Sequence, residues 1–269
     1  MLLTRRGDDG GRLAGARAYG TTMERVYTPV IAVARALFAA EGLRFRITGS
    51  EHFPREGGAV LVMNHVGYFD FAYAGLAALP AGRHVRFMAK ESVFEHRLSG
   101  PLMRGMKHIP VDRSAGATSF RQAVNAVKAG EIVGVFPEAT ISRSFELKDF
   151  KSGAVRMAQM AQAPLIPMAI WGSQRVWTKG HPRRLGRTRT PIRLSVGEPL
   201  VAGRRDNAEE VNERLKASIV QLLHEAQRSY PAMTGDDLRF QPARLGGTAP
   251  TPEVALAMDL AETRQRAGS

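Results

Sequence analysis

Ala59-Val60-Leu61-Val62-Met63-Asn64-His65-Val66-Gly67-Tyr68-Phe69-Asp70 opens on five apolar residues and closes with an aspartate five positions after a histidine. The short apolar run reads as a buried strand. On a continuous helix His65 and Asp70 would point about 140° apart, because each residue turns roughly 100°. If His65 instead ends the strand, Gly67 permits a turn and Asp70 opens the next helix, the two side chains converge at the carboxyl edge of a sheet. Open α/β folds place their chemistry at that edge. A histidine held by a carboxylate is a general base for a hydroxyl group.

Outward from this stretch, apolar β-rich runs recur at Phe45 to Thr48, Val85 to Ala89, Ile109 to Val111, Ile132 to Phe136, Leu165 to Ile170 and Ile192 to Val196. Helical patterns alternate with them at Phe71 to Leu79, Val93 to Met103, Thr118 to Lys128, Ser152 to Gln162 and Ala208 to Gln227. Alternation of this kind predicts an α/β fold, a single sheet flanked by helices. Pro164 and Pro167 suit the Leu165 run to an edge or a bulge rather than to a regular central strand. Ahead of the sheet, Val26, Val30, Val33, Leu37 and Ala40 recur at helical spacing, predicting an amphipathic helix from about Thr22 to Glu41. It serves either as a packed surface helix or as an interfacial membrane helix. The expected organisation is a flexible basic arm over 1–21, the interfacial helix over 22–43, the main domain over 44–230 and an appendage over 231–269 with a short helix from Pro252 to Arg264. The Arg-, Gly- and Thr-rich stretch from Trp171 to Pro191 reads as an exposed loop.

The 269 residues suffice for one sizeable core. A formal charge of +13 points to an anionic partner: nucleic acid, an acidic bilayer or a phosphorylated small molecule. Cysteine is absent, which excludes disulfides, thiolate metal sites and cysteine nucleophiles and fits a reducing compartment. No apolar run resembles a signal-peptide core, and Val26 to Ala40 falls short of the ~20 residues that cross a bilayer. The chain has no Gly-x-Ser-x-Gly elbow, no phosphate loop and no dinucleotide fingerprint. Its seven histidines lack metalloprotease spacing, so no metal is expected. The arginines lack interleaved aromatic residues, which disfavours nucleic acid.

Three further stretches carry polar chemistry. Lys107-His108-Ile109-Pro110-Val111-Asp112-Arg113 sets cations at both ends of a short strand, and Arg113 can grip phosphate in a bidentate fashion. A structural Asp112/Arg113 pair is the plainer account. Phe136-Pro137-Glu138-Ala139-Thr140-Ile141-Ser142-Arg143 follows another buried run. There Glu138 can accept a hydroxyl or orient a cation, while Thr140, Ser142 and Arg143 can donate to phosphate oxygens; a capped turn is the alternative. Lys151-Ser152-Gly153 precedes a helix whose free amides can meet an anion.

In this order the stretches resemble the glycerolipid acyltransferase family, whose best-known members acylate lysophosphatidic acid. Asn64, His65 and Asp70 match its first motif; Val111, Asp112 and Arg113 its second; Phe136, Pro137, Glu138, Thr140 and Ser142 its third; Pro164 and Pro167 its fourth. The resemblance spans roughly Arg44 to Pro199. It departs at Ala139, where the family has glycine, and at Ile141, where it often has a phosphate-binding arginine. Arg143, two positions on, shares a side with that position in an extended segment and can substitute. Ala139 argues against a backbone limited to glycine.

The resemblance implies direct acyl transfer from an acyl thioester, acyl-CoA or an acyl carrier protein, to a lysophospholipid hydroxyl, without cofactor or metal. His65 and Asp70 are then catalytic, and Lys107, Arg113, Glu138, Thr140, Ser142 and Arg143 bind substrate. Phospholipid biosynthesis at the cytoplasmic face of the membrane, as a peripheral enzyme on an anionic surface, is the expected setting. Another lysophospholipid acceptor and a non-catalytic lipid-binding protein are the alternatives.

Overall fold

The computed structural model describes residues 26–97, 99–112 and 116–267. The basic arm, the first residues of the expected N-terminal helix and Arg113 lie outside the described residues.

Seven strands form one sheet: β1 (Arg44–Thr48), β2 (Ala59–Met63), β3 (Val85–Lys90), β4 (Ile109–Val111), β5 (Ile132–Val135), β6 (Leu165–Trp171) and β7 (Pro191–Val196), in the order β1-β7-β6-β2-β5-β3-β4. From β6 to β4 the five strands are parallel; β7 turns antiparallel to β6, and β1 lies parallel to β7. The chain is therefore the α/β architecture expected, with a mixed sheet. β2 sits near its middle, buried on both faces, which is why its sequence is continuously apolar.

Pleating sends alternate β2 side chains to opposite layers. Leu61 and Met63 join Ile132, Ile166 and Met168 under α1 (26–40) and α2 (Asp70–Ala78). Val60 and Val62 join the layer covered by α5 (Gly116–Lys128), α6 (Gly153–Ala161) and α7 (Ala208–Arg228). At the carboxyl end of the sheet a further cluster gathers Val66, Phe145, Trp171, Tyr230, Met233 and Phe240.

Five expectations change. The helix foreseen from Val93 to Met103 is two, α3 (Glu91–Glu95) and α4 (Ser99–Gly105), because His96 adopts extended backbone, ψ 135°. Leu165–Trp171 is a central strand, not an edge, but Pro167 does lie beside a bulge. Leu165 bridges Leu200 while Met168 pairs with Val196, so the return strand holds one residue more than β6 between those points. In α1 the foreseen stripe is met only in part: Val26 and Val30 pack beside the buried Tyr27, but Phe38 is buried where Val33 and Leu37 are 60% and 58% exposed. The Tyr27 hydroxyl donates to Val85 O at 2.6 Å, and Phe38 packs on Phe45 and Tyr73.

Finally, the segment after Tyr230 folds back on the body, burying Met233, Phe240 and Ala249, and ends in α8 (Pro252–Ala267). The stretch between β6 and β7 likewise is not simply exposed: Val176 and Thr178 are buried, and Trp177 O accepts from Tyr68 N.

Candidate active site

β2 ends with Asn64, whose side chain continues the ladder that the backbone leaves. Its Nδ2 donates to Ile170 O at 3.0 Å and its Oδ1 accepts from Ile170 N at 2.7 Å. The strand end is thereby clamped to β6 just before His65. The chain then turns so that Asp70, the first residue of α2, reaches back. Its Oδ2 accepts from Val66 N at 2.7 Å, Gly67 N at 2.8 Å and His65 Nδ1 at 3.0 Å. Gly67 is needed for space: a Cβ there would come within 2.9 Å of Ser173 Oγ and 3.1 Å of that residue's backbone.

Asp70 is fully buried, while the His65 side chain keeps 19% exposure. With Nδ1 donating to the carboxylate, Nε2 is the acceptor nitrogen of the ring. Phe136 stacks on the imidazole, with centroids 4.2 Å apart, and Phe87 stacks on Phe136 at 6.4 Å. Phe87 also lines an apolar cleft with Tyr27, Ile31, Phe71, Leu76 and Met106, so a greasy groove begins one ring from His65.

Glu138 does not face outward as a substrate ligand. It is buried, and both oxygens are taken by backbone amides: Oε1 by His65 N at 2.9 Å and Oε2 by Lys148 N at 3.1 Å. Burial raises its carboxyl to about 8, against those two amides and the Lys148 charge. Ser142 is buried too. Its Oγ donates to Glu146 O at 2.7 Å, and its amide donates to His65 O at 2.8 Å, so it holds the turn from inside. Ala139 carries φ 61°, the left-handed region that favours glycine, so the alanine has kept that backbone rather than abolished it. Ile141 is buried, consistent with its lack of charge.

Lys107 stands apart from this group. With φ 54° it closes α4, and its charged surroundings are Arg86 and Glu131, by the amino ends of β3 and β5. Burial, with Arg86, holds its ammonium below the usual range. The register explains the miss: Ile109 pairs with Met88, so Lys107 falls short of the carboxyl edge. His108, pushed down to about 4 by burial and Arg86, accepts from Phe87 N at 3.0 Å and stays neutral.

Thr140 and Arg143 do lie beside the turn, in company that motif spacing does not foretell. Lys148 Nζ donates to Thr140 Oγ1 at 2.7 Å and to Asp259 Oδ2 at 2.6 Å. Arg143 donates from Nε to Asp259 Oδ1 at 3.2 Å and from Nη2 to Glu262 Oε2 at 2.9 Å. Lys179 Nζ reaches Asp259 Oδ1 at 2.8 Å and Glu262 Oε2 at 2.7 Å. Burial opposes the Asp259 charge, but hydrogen bonds from Lys148 and Lys179 hold its carboxyl below the usual range. Among the described residues no group of three or more His, Cys, Asp or Glu converges as a metal site. Nor is any helix long and apolar enough to cross a membrane.

A strand-borne histidine backed by a buried carboxylate at the carboxyl edge of an α/β sheet has the geometry of a general base for a hydroxyl group. A family model described as Acyltransferase matches residues 44–171, and the chain belongs to that family, as an O-acyltransferase enzyme. It is similar to the 1-acyl-sn-glycerol-3-phosphate acyltransferase of Bacillus subtilis (strain 168), at 33% identity over 58% of this chain and 73% of that one. The protein of the same description from Limnanthes douglasii is 33% identical over 52% of this chain, which spans about half, 49%, of that longer relative. Among solved structures, the 1-acyl-sn-glycerophosphate (LPA) acyltransferase PlsC from Thermotoga maritima superposes with a TM-score of 0.60. That match covers 80% of this chain and 90% of the other; at 18% identity it speaks for the fold alone.

Proposed function

We propose that this acyltransferase moves a fatty acyl group from an acyl thioester, acyl-CoA or acyl carrier protein, to the free hydroxyl of lysophosphatidic acid, yielding phosphatidic acid. The observation that carries the reading is the His65 Nδ1 to Asp70 bond, which leaves Nε2 as a base at a partly exposed strand end. Nε2 takes the proton of the acceptor hydroxyl as its oxygen attacks the thioester carbonyl. The new C–O ester bond forms, the C–S bond breaks, and the departing thiolate recovers the proton from the imidazolium. Asp70 stabilises that imidazolium and holds the ring's orientation. No covalent enzyme intermediate is needed. The apolar cleft beyond Phe87 is suited to an alkyl chain, and the relatives' names support the acceptor.

A peripheral position on the cytoplasmic face of an anionic membrane fits the +13 charge and the exposed Val33 and Leu37. The buried Ile141, uncharged at the third motif, favours a second reading in which the acceptor is another lysophospholipid.

The test is turnover by purified protein, crossing lysophosphatidic acid and larger-headgroup lysophospholipids with both donors. Phosphatidic acid is the expected product. His65→Ala is expected to abolish it without loss of fold, and Asp70→Asn to lower kcat by about 10³- to 10⁴-fold. Undiminished turnover in the folded His65→Ala protein excludes this mechanism, and preference for a larger headgroup selects the second reading.

A further inference from the structure

Beside the His65 turn, Arg143, Lys148 and Lys179 converge on two carboxylates that come from a single distant helix, α8. Each cation hangs close to that turn. Arg143 follows Ser142, whose amide bonds His65 O; Lys179 follows Thr178, whose hydroxyl donates to Val66 O at 2.7 Å; the Lys148 amide shares Glu138 with the His65 amide. Arg143 is closely seated: Gly180 has φ 80°, and a Cβ on it would come within 2.7 Å of Arg143 Nη1.

The helix supplying the carboxylates is inverted. Ala255, Asp259 and Glu262 recur at i, i+4 and i+7 and so share the face turned to the body, yet of these only Ala255 is an apolar buried residue. Val254, Leu256, Met258 and Leu260 are exposed. A helix held by partly exposed ion pairs and little apolar burial is weakly docked. Its two carboxylates present the charge, about −2, and the oxygen acceptors that a phosphate monoester presents.

We propose that α8 is an internal substitute for the acceptor's phosphate: Asp259 and Glu262 occupy the Arg143, Lys148 and Lys179 site until a phosphate-bearing acceptor displaces them. This rests on the acceptor class proposed above. Lys148 and Lys179 are then substrate-binding residues, and α8 is a strap whose own affinity for the site subtracts from that of the acceptor.

The primary readout is binding to the whole 269-residue chain, with acyl transfer measured alongside. Lysophosphatidic acid is titrated below its micelle concentration, with 1-monoacylglycerol, which lacks the phosphate, as control. Asp259→Asn/Glu262→Gln is expected to bind lysophosphatidic acid at least about threefold more tightly, since the competent fraction rises, with monoacylglycerol unaffected. Lys148→Gln/Lys179→Gln is expected to bind it more weakly. In the unaltered protein, saturating lysophosphatidic acid is expected to speed amide hydrogen exchange across α8, a readout that needs no variant. Unchanged or weaker binding by Asp259→Asn/Glu262→Gln, or α8 amides equally protected at saturation, overturns the strap. Displacement of α8 without phosphatidic acid formation removes the proposed activity and leaves the strap standing; normal turnover with α8 still protected does the reverse.

Discussion

Glu138 shows how one side chain can serve a site without touching substrate. Its two oxygens join the amide of His65 to that of Lys148, fixing the end of β2 against the loop that carries the cations. Because burial raises its folded carboxyl to about 8 while the unfolded chain titrates near 4.5, the native state binds the extra proton between those values. Stability from this group is therefore full below about pH 4.5 and falls as pH rises toward 8. Glu138→Gln is expected to flatten that fall, seen as denaturation midpoints that differ less between pH 5 and pH 8. It should also cost about 1–3 kcal/mol at pH 5, where an amide NH₂ replaces an acceptor facing one of two buried N–H donors. The residue types of the site were legible because motif spacing is local, and the His65 to Asp70 convergence follows from a strand, a turn and a helix start. Orientation was not legible. Whether Glu138 looks out or in depends on Lys148 and on the depth of the pocket, neither of which the motif contains.

All seven expected strands stand within a residue of their observed bounds, whereas the helices were read less closely, α3 and α4 as one. α7 was readable from its period, and its start is set by Asn207, whose side chain accepts from Glu209 N at 3.0 Å. Asn207→Ala is expected to lower stability by about 1 kcal/mol in thermal or urea unfolding. Acyl transfer measured well below the transition should be unaltered, because the start of α7, at Val211 and Leu215, packs in the opposite layer of the sheet from His65's flanking helix. For β6 the difficulty was nonlocal: a proline in a central strand is tolerable because a bulge near Gly197 lies alongside, and that bulge depends on Leu200 bridging Leu165. The break between α3 and α4 gave a similar lesson. Gly100 lets the two approach, since a Cβ on it would meet Phe94 O at 2.1 Å, a contact no periodicity reveals.

At the scale of the whole molecule, a net charge of +13 is joined by apolar side chains that α1 turns outward. Val33 and Leu37 project from α1 while Tyr27 and Phe38 hold that helix to the body, so the outer side can meet lipid without unpacking the core. Val33→Asp/Leu37→Asp is expected to reduce sedimentation with anionic phospholipid vesicles several-fold, leaving the melting temperature nearly unchanged. Binding of the unaltered protein should weaken as salt rises past the ~10 Å screening length of 0.1 M. The docking of the C-terminal segment was the least legible feature at this scale. Asp259 lies in an unremarkable acidic-apolar helix, and nothing near Arg143 in sequence marks the two as neighbours. The reversed rim of the sheet has a bearing on assembly. Among the described residues β1 pairs with no strand but β7, Arg44 facing Pro191. On the ribosome β1 would emerge early and stay unpaired until nearly all of the sheet had been synthesised, because its closing contact spans most of the intervening chain. α1 need not wait with it, because Tyr27 bonds Val85 O and Phe38 packs on Tyr73, both made well before β7. For that interval the unpaired backbone edge of β1 is the surface a chaperone meets.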